Sequence, residues 1–142
     1  MKRSASILVV ATALAGVVAA ASPLASPGAP AAKARIAIEA KGYGGQGTFS
    51  YRDRNDVVKD SGWAADAGGP AFFHGKKGTF YNKWRGVDFN AGSDWTVSTG
   101  NWSFAGGTGK YAGIRGGGRF AMVRNLDLHE FVRFEGLATG GP

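Results

Sequence analysis

The most constraining feature of this sequence is a glycine-rich run, "GGTGKYAGIRGGG", over residues 106–118. Each glycine in a helix interior costs about 1 kcal/mol relative to alanine, so this stretch is a poor helix former. All Trp, Tyr and Phe residues fall between Tyr43 and Phe134, and Leu is scarce in the same part of the chain. Because aromatic residues favour strands and glycine favours turns, the sequence predicts an all-β protein.

The Gly-Lys pair inside the run raises the question of a phosphate-binding loop. A P-loop requires a glycine five positions before the glycine of that pair and a Ser or Thr after the lysine. These positions hold Phe104 and Tyr111. Residues 107–112 do fit a dinucleotide-binding fingerprint with Asp127 downstream, but that fingerprint must open a helix, and "GIRGGGRF" is incompatible with one. The sequence therefore argues against both nucleotide motifs.

We interpret the run as a turn that joins two strands. Glycine supplies positive φ and lets one strand pass close to the aromatic side chains of another. Thr108 can hydrogen-bond the local backbone, and Tyr111 and Ile114 can reach the core. The predicted structural turn residues are Gly106, Gly107, Thr108, Gly109, Gly113 and Gly116.

Alternation of apolar and polar residues predicts several short strands. The pattern is clear in "RIAIEAK" (35–41) and in "GTFYNKWRGVDFN" (78–90). Further strands are predicted at 47–52, 57–58, 94–105, 118–124 and 126–136, residues 61–78 are predicted to be a loop, and Gly100 indicates a bulge or a break. About seven or eight short strands separated by turns predict a sandwich or a barrel.

The stretch "WSFAGGTGKYAGIRGGGRF" (102–120) resembles a segment of the allene oxide cyclase-like and dirigent-like β-barrel superfamily. There a similar "GGTG(K/R)(F/Y)xxxxG" segment joins two barrel strands. The resemblance implies a single antiparallel β-barrel of about eight strands with an apolar cavity open at one end. The plant enzymes of this group guide cyclisation or radical coupling inside the barrel without a cofactor, whereas many exported bacterial members have no assigned activity.

The N-terminus has the pattern of a secretory signal peptide. Lys2 and Arg3 precede an apolar stretch, and small residues lead to Ala21, after which we expect cleavage. The apolar stretch is shorter than the roughly 20 residues of a membrane span, so we expect an exported protein, secreted or periplasmic, without a stable span. Residues 22–34 predict a flexible Pro/Ala-rich lead and residues 35–142 one β-barrel domain. With no cysteine, the core must hold the fold without disulfides.

The charge pattern bears on the partners. The formal net charge is +7, and removal of Lys2 and Arg3 lowers it to +5. The charges are scattered along the chain and alternate in sign, which is typical of a solvated surface and differs from the basic stripe of nucleic-acid-binding proteins. We therefore expect no nucleic-acid partner.

A catalytic role inside a barrel requires a carboxylate that faces an apolar interior. Alternation places Glu130 on one face with the apolar residues Leu126, Leu128, Val132 and Phe134. Arg124 continues an apolar face of the preceding strand and can pair with Glu130, so these two are the catalytic candidates. The alternative is that this face, or a bulge, turns Glu130 toward solvent. The candidate ligand-binding residues are Asn82, Trp84, Trp102, Phe104, Phe120, Met122 and Phe134.

Other site chemistries have little support in the sequence. His74 and His129 lack the Cys or closely spaced carboxylates of a zinc site, so we expect no metal and no cofactor. No nucleophile elbow surrounds a serine, which argues against a hydrolase.

Three functional hypotheses remain. The first is a non-catalytic barrel that binds an apolar or phenolic small molecule. The second is a cofactor-independent cyclase, isomerase or dirigent-like guide that acts inside the barrel. The third is a polysaccharide-surface binder, which would carry aromatic residues on the outside of the barrel; its candidates are Trp63, Trp84, Trp95 and Trp102.

Overall fold

A computed structural model describes residues 32–142 of the chain. The predicted signal peptide and residues 22–31 of the predicted lead lie outside these residues. The strands are β1 (Ala34–Tyr43), β2 (Gln46–Arg52), β3 (Val58–Asp66), β4 (Pro70–Gly75), β5 (Gly78–Asn90), β6 (Trp95–Gly107), β7 (Arg115–Asn125) and β8 (His129–Thr139). A short 3-10 helix (Gly109–Tyr111) lies between β6 and β7. In this part of the chain, no helix has the length and apolar character required to cross a membrane.

The eight strands form one closed antiparallel barrel in which each strand pairs with its neighbours in sequence. The barrel closes where β1 pairs with β8, with Ile38 opposite Phe134. This confirms the predicted all-β class and the predicted eight-stranded antiparallel barrel. The connections at 44–45, 67–69, 91–94 and 126–128 lie at one end, which we call the mouth end, and those at 53–57, 76–77 and 108–114 lie at the other, the closed end.

Three local predictions were wrong. Residues 61–78 are not a loop, because β3 continues to Asp66 and β4 occupies Pro70–Gly75, with Gly68 in the turn between them. The last strand begins at His129, so Leu126 and Leu128 lie exposed in the preceding turn instead of on the inner face. β6 is continuous through Gly100, and its irregularity lies at Ala105, which has no partner because Tyr81 pairs with Gly106 and Asn82 pairs with Phe104.

Aromatic side chains fill most of the barrel interior. Phe73 and Phe80 stack with ring centroids 4.6 Å apart, and Phe49 packs edge-on against both. The indole of Trp102 is buried as well and donates its N–H to two backbone carbonyls, those of Arg119 and Glu135. Burying such rings removes a large apolar area from water, which stabilises a small domain that has no disulfides.

The glycine-rich run seals the closed end. Tyr111 of the 3-10 helix is fully buried, packs on Phe80 with centroids 4.6 Å apart, and donates its hydroxyl to the buried Asp60 carboxylate at 2.9 Å. The same carboxylate accepts backbone N–H groups of Ser61, Lys76 and Lys77 at 2.8–3.2 Å. Asp60 on β3 thereby joins two closed-end connections, 76–77 and 108–114, and its four hydrogen bonds offset the cost of burying its charge.

Glycines also face one another inside the barrel. In every second hairpin, one inward-facing cross-strand pair consists of glycine on both sides: Gly42 with Gly47, Gly62 with Gly75, Gly86 with Gly100, and Gly118 with Gly136. A Cβ added at Gly118 would lie less than 3 Å from the backbone of Glu135 and Gly136. In a flat sheet a Cβ points away from the neighbouring strand, so such a clash marks strong inward curvature.

We predict that Gly118→Ala lowers the free energy of unfolding by about 3 kcal/mol or more, because the new methyl group must displace the β8 backbone. Urea unfolding followed by circular dichroism would measure the loss. Gly69→Ala is the matched control, since Gly69 has no heavy atom within 4 Å of its added Cβ and no positive φ. A Gly118→Ala variant as stable as Gly69→Ala would contradict the steric role of the glycine pair.

Stability should also fall at alkaline pH. Burial raises the pKa of Tyr51 to about 12, and burial with the hydrogen bond to Asp60 raises the pKa of Tyr111. Tyrosines in the unfolded chain titrate near pH 10, so above that pH the native state binds more protons than the unfolded state. The free energy of unfolding then decreases with pH, by up to about 1.4 kcal/mol per pH unit for each tyrosine.

Urea unfolding at a series of pH values from below 10 to about 12 would measure this slope. Tyr51→Phe should reduce it, because one raised tyrosine pKa is removed. Tyr43→Phe is the control, since Tyr43 is exposed. Equal slopes in Tyr51→Phe and Tyr43→Phe would show that Tyr51 does not contribute to the alkaline loss.

Candidate functional site

A cavity opens at the mouth end of the barrel. Its floor and walls come from Ala40 on β1, Ala71 and Phe73 on β4, and Phe120 and Phe134 on β7 and β8. Gly42, Gly47 and Ala64 also line it, so small side chains on β1, β2 and β3 create the space that aromatic rings fill elsewhere. The cavity has a volume of about 40 Å³, which is room for about three water molecules.

An ion pair lies at this cavity. Arg124 on β7 faces Glu130 on β8 in register, and its Nε and Nη2 both donate to Glu130 Oε2, at 3.0 and 2.8 Å. The Glu130 side chain lines the cavity and is only 12% exposed, whereas that of Arg124 is 36% exposed. The carboxylate therefore points inward, and its partner extends toward solvent.

The structure brings some of the candidate residues to the cavity and places others elsewhere. Trp84, Phe120, Met122 and Phe134 line the cavity together with Glu130. Trp102 and Phe104 pack against each other, with ring centroids 4.9 Å apart, and are not among the lining residues. Of the predicted turn residues, Thr108, Gly109 and Gly113 lie in the connection, whereas Gly106 and Gly107 end β6 and Gly116 belongs to β7.

Thr108 bonds a different partner from the one expected. Its Oγ1 accepts the backbone N–H of Thr79 at 3.1 Å, and its own N–H donates to the Thr79 carbonyl at 2.7 Å. Thr108 therefore ties the run to the start of β5 instead of bonding its local backbone.

Asn82 is an inward polar residue of a different kind. It is fully buried between Phe80 and Trp84 on β5, opposite the cavity residue Ala71. Among the described residues, neither its amide nitrogen nor its amide oxygen has a hydrogen-bond partner. A buried amide without partners costs about 1–3 kcal/mol in proteins. Asn82 therefore destabilises the fold, and it pairs across the sheet with a residue that lines the cavity.

Neither histidine lines the cavity. His74 stacks on Trp63 on the outer face, with centroids 4.1 Å apart, and His129 is exposed at the start of β8. Within residues 32–142, no three His, Cys, Asp or Glu side chains are grouped so that they could hold a metal ion.

Several cavity residues were missed from the sequence. Phe73 and Ala71 fell within the predicted loop, and Ala40 and Ala64 carry no distinctive chemical signal. The one available signal was alternation in "PAFFHG" (70–75), where Ala71 and Phe73 share the inner face.

Comparison of the chain with protein-family models, with curated proteins and with solved structures gives no match. The cavity and its surroundings therefore carry the functional argument.

We predict that Asn82→Leu raises the free energy of unfolding by about 1–2 kcal/mol, because it removes two buried polar atoms without partners and keeps a similar volume. Urea unfolding would measure the change. Asn101→Leu, on the exposed outer face of β6, should change stability by less than about 0.5 kcal/mol. A less stable Asn82→Leu variant would mean that the amide has a partner in solution, such as a trapped water molecule.

Proposed function

We propose that this protein is an exported small β-barrel that binds an apolar or phenolic small molecule at its mouth end without catalysis. The observation that carries the proposal is a mostly apolar cavity, open at one end of an otherwise filled barrel, whose lining includes the Glu130 carboxylate and, among the residues near the mouth, Lys41, Gln46 and Asp66. Export rests on the predicted signal peptide. The resemblance of residues 102–120 to the allene oxide cyclase-like and dirigent-like superfamily supports a ligand inside the barrel.

The walls of the cavity favour an apolar group. Phe73, Trp84 and Phe134 present aromatic surface, and Met122 offers a flexible side chain that adapts to different shapes. Burial of apolar ligand surface there contributes roughly 25 cal/mol per Å². Because the space is small, it fits one ring or the end of an alkyl chain, and the rest of a larger ligand would remain at the mouth.

The ion pair favours a ligand that carries a hydroxyl group. Both hydrogen bonds from Arg124 reach Glu130 Oε2, so Oε1 has no hydrogen-bond partner among the described residues. A phenolic hydroxyl at the mouth would donate to this oxygen. Hydrogen bonds to charged groups are worth about 1.5–3 kcal/mol, or about tenfold or more in affinity.

The catalytic alternative uses the same two residues. In a cofactor-independent cyclase, isomerase or dirigent-like guide, Glu130 and Arg124 would be the polar groups of the cavity. We favour binding because Arg124 already holds Glu130 by two charge-assisted hydrogen bonds, and such a fixed pair is typical of a structural or orienting role.

The proposal predicts that the protein binds 4-ethylphenol about tenfold more tightly than ethylbenzene. Titrations followed by amide chemical shifts would measure both affinities, and native mass spectrometry of the exported protein would reveal any co-purified compound. Glu130→Gln should reduce the preference for the phenol, because the amide is a weaker acceptor. Trp84→Ala should weaken the binding of both compounds, because it removes part of the cavity wall.

Trp95→Ala is the matched control for this experiment, since Trp95 is exposed and does not line the cavity. It should bind both compounds as the unmodified protein does. Failure of 4-ethylphenol to bind, or equal losses in Trp84→Ala and Trp95→Ala, would contradict a ligand site in the cavity. Chemical conversion of a bound phenol would favour the catalytic alternative.

A further inference from the structure

The outer face of β3, β4 and β5 carries a group of aromatic side chains. Trp63 stacks on His74, at an angle of 13°, and the Trp63 side chain remains 51% exposed. Phe72 and Tyr81 form a second pair on the same face, with ring centroids 6.0 Å apart. Large apolar side chains are concentrated here on a surface where scattered polar residues are expected. Such a group indicates a binding surface.

Tyr81 leans across the surface of the sheet. A Cβ added at Gly106 on β6 would lie only 2.7 Å from Tyr81 Cζ and 2.9 Å from Cε1, so the tyrosine ring covers the glycine. Tyr81 is nevertheless 37% exposed. The missing side chain at Gly106 thus lets the ring rest on the sheet with one side toward solvent, where a flat apolar group can stack on it.

Cationic side chains continue this surface along β5. Lys83 and Arg85 follow Tyr81 on the outer face, and Arg119 on β7 lies opposite Asn101 on β6. Within residues 32–142, none of these three cations has an acidic side chain within ion-pair distance. Their charges are therefore available to a partner that carries anions.

An open groove crosses the same region. It is shallow and wide open to solvent, and it runs past Pro70, Lys83, Arg85, Asn101 and Ser103. Asn101 and Ser103 add amide and hydroxyl groups to its exposed side. From Thr79 to Arg85 the outer face of β5 spans about 20 Å, which fits a short run of polymer.

We propose that this outer track, made of Trp63, Tyr81, Lys83, Arg85 and Asn101, binds an acidic polysaccharide. Sugar rings stack on the two aromatic side chains, Lys83 and Arg85 bind carboxylate groups, and Asn101 bonds hydroxyl groups. A single-stranded nucleic acid fits less well, because bases and phosphates alternate along it and require aromatic and basic residues to be interleaved. On this track the aromatic pairs and the cations occupy successive segments.

This proposal does not depend on a ligand in the cavity, because the track lies on the opposite face of β5. Isothermal titration with polygalacturonate, at low and high ionic strength, would measure it. Dextran serves as the neutral polysaccharide, dextran sulfate distinguishes sulfate from carboxylate recognition, and single-stranded poly(dT) represents nucleic acid.

We expect polygalacturonate to bind more tightly than dextran, and its binding to weaken with added salt. Tyr81→Ala should weaken binding about tenfold, and Arg85→Ala about threefold with a smaller salt dependence. The matched controls are Tyr43→Ala, at the mouth end, and Arg54→Ala, in a closed-end connection. Both residues are exposed, and both variants should bind within about twofold of the unmodified protein.

Results of three kinds would overturn the proposal. The first is no binding of polygalacturonate. The second is equal weakening by Arg54→Ala and Arg85→Ala, which would mean that only net charge matters. The third is tighter binding of poly(dT), or equal binding of dextran. Tighter binding of dextran sulfate than of polygalacturonate, with the same loss in Tyr81→Ala, would support the track and assign it to sulfated polysaccharides.

Discussion

The barrel closes by bending at facing glycine pairs, one in every second hairpin. At each pair the two strands approach so closely on the inner face that neither position can hold a side chain without displacing its surroundings. Because these pairs occur once in every second hairpin, curvature is introduced at regular intervals around the barrel. A chain without them would form a flatter sheet with exposed edges.

Close curvature also determines what the interior can hold. The indole of Trp102 donates to the carbonyls of Arg119 and Glu135, which form the cross-strand pair next to Gly118 and Gly136. Toward the closed end, Tyr111 and the Asp60 carboxylate complete the filling. Aromatic rings thus occupy most of the barrel, and the cavity lies at the mouth end, where alanine and glycine replace them. The glycine-rich run closes the other end of the barrel by placing the Tyr111 side chain in the interior.

The sequence predicted the features that depend on local pattern. Alternation located β5 at its observed bounds, and the aromatic content indicated the all-β class. The inward residues of β3 and β4 include Gly62, Ala64 and Ala71, so the alternation of size that marks a strand was weak there. The glycine pairs are visible only when the strand register is known, because their partners lie from 5 to 18 positions apart.

The site was predictable in part for the same reason. Glu130 and Arg124 were identified by alternation, but their pairing depends on the register of β7 and β8. Leu126 and Leu128 were assigned to the same face because the beginning of β8 cannot be located from apolar residues that continue into a turn. The absence of a partner for Asn82 is a property of the packed interior, and no pattern in the chain indicates it.

β5 connects the two proposed sites, because its alternate residues serve opposite faces. Asn82 and Trp84 point inward, whereas Tyr81, Lys83 and Arg85 point outward. The irregularity in the pairing with β6, between Tyr81 and Asn82, lets Tyr81 cover Gly106 while Asn82 faces Phe104. A shift of one residue would exchange the two faces and place cations in the core. The cost of burying those charges therefore fixes the register, and the register separates an apolar inner surface from a cationic outer one.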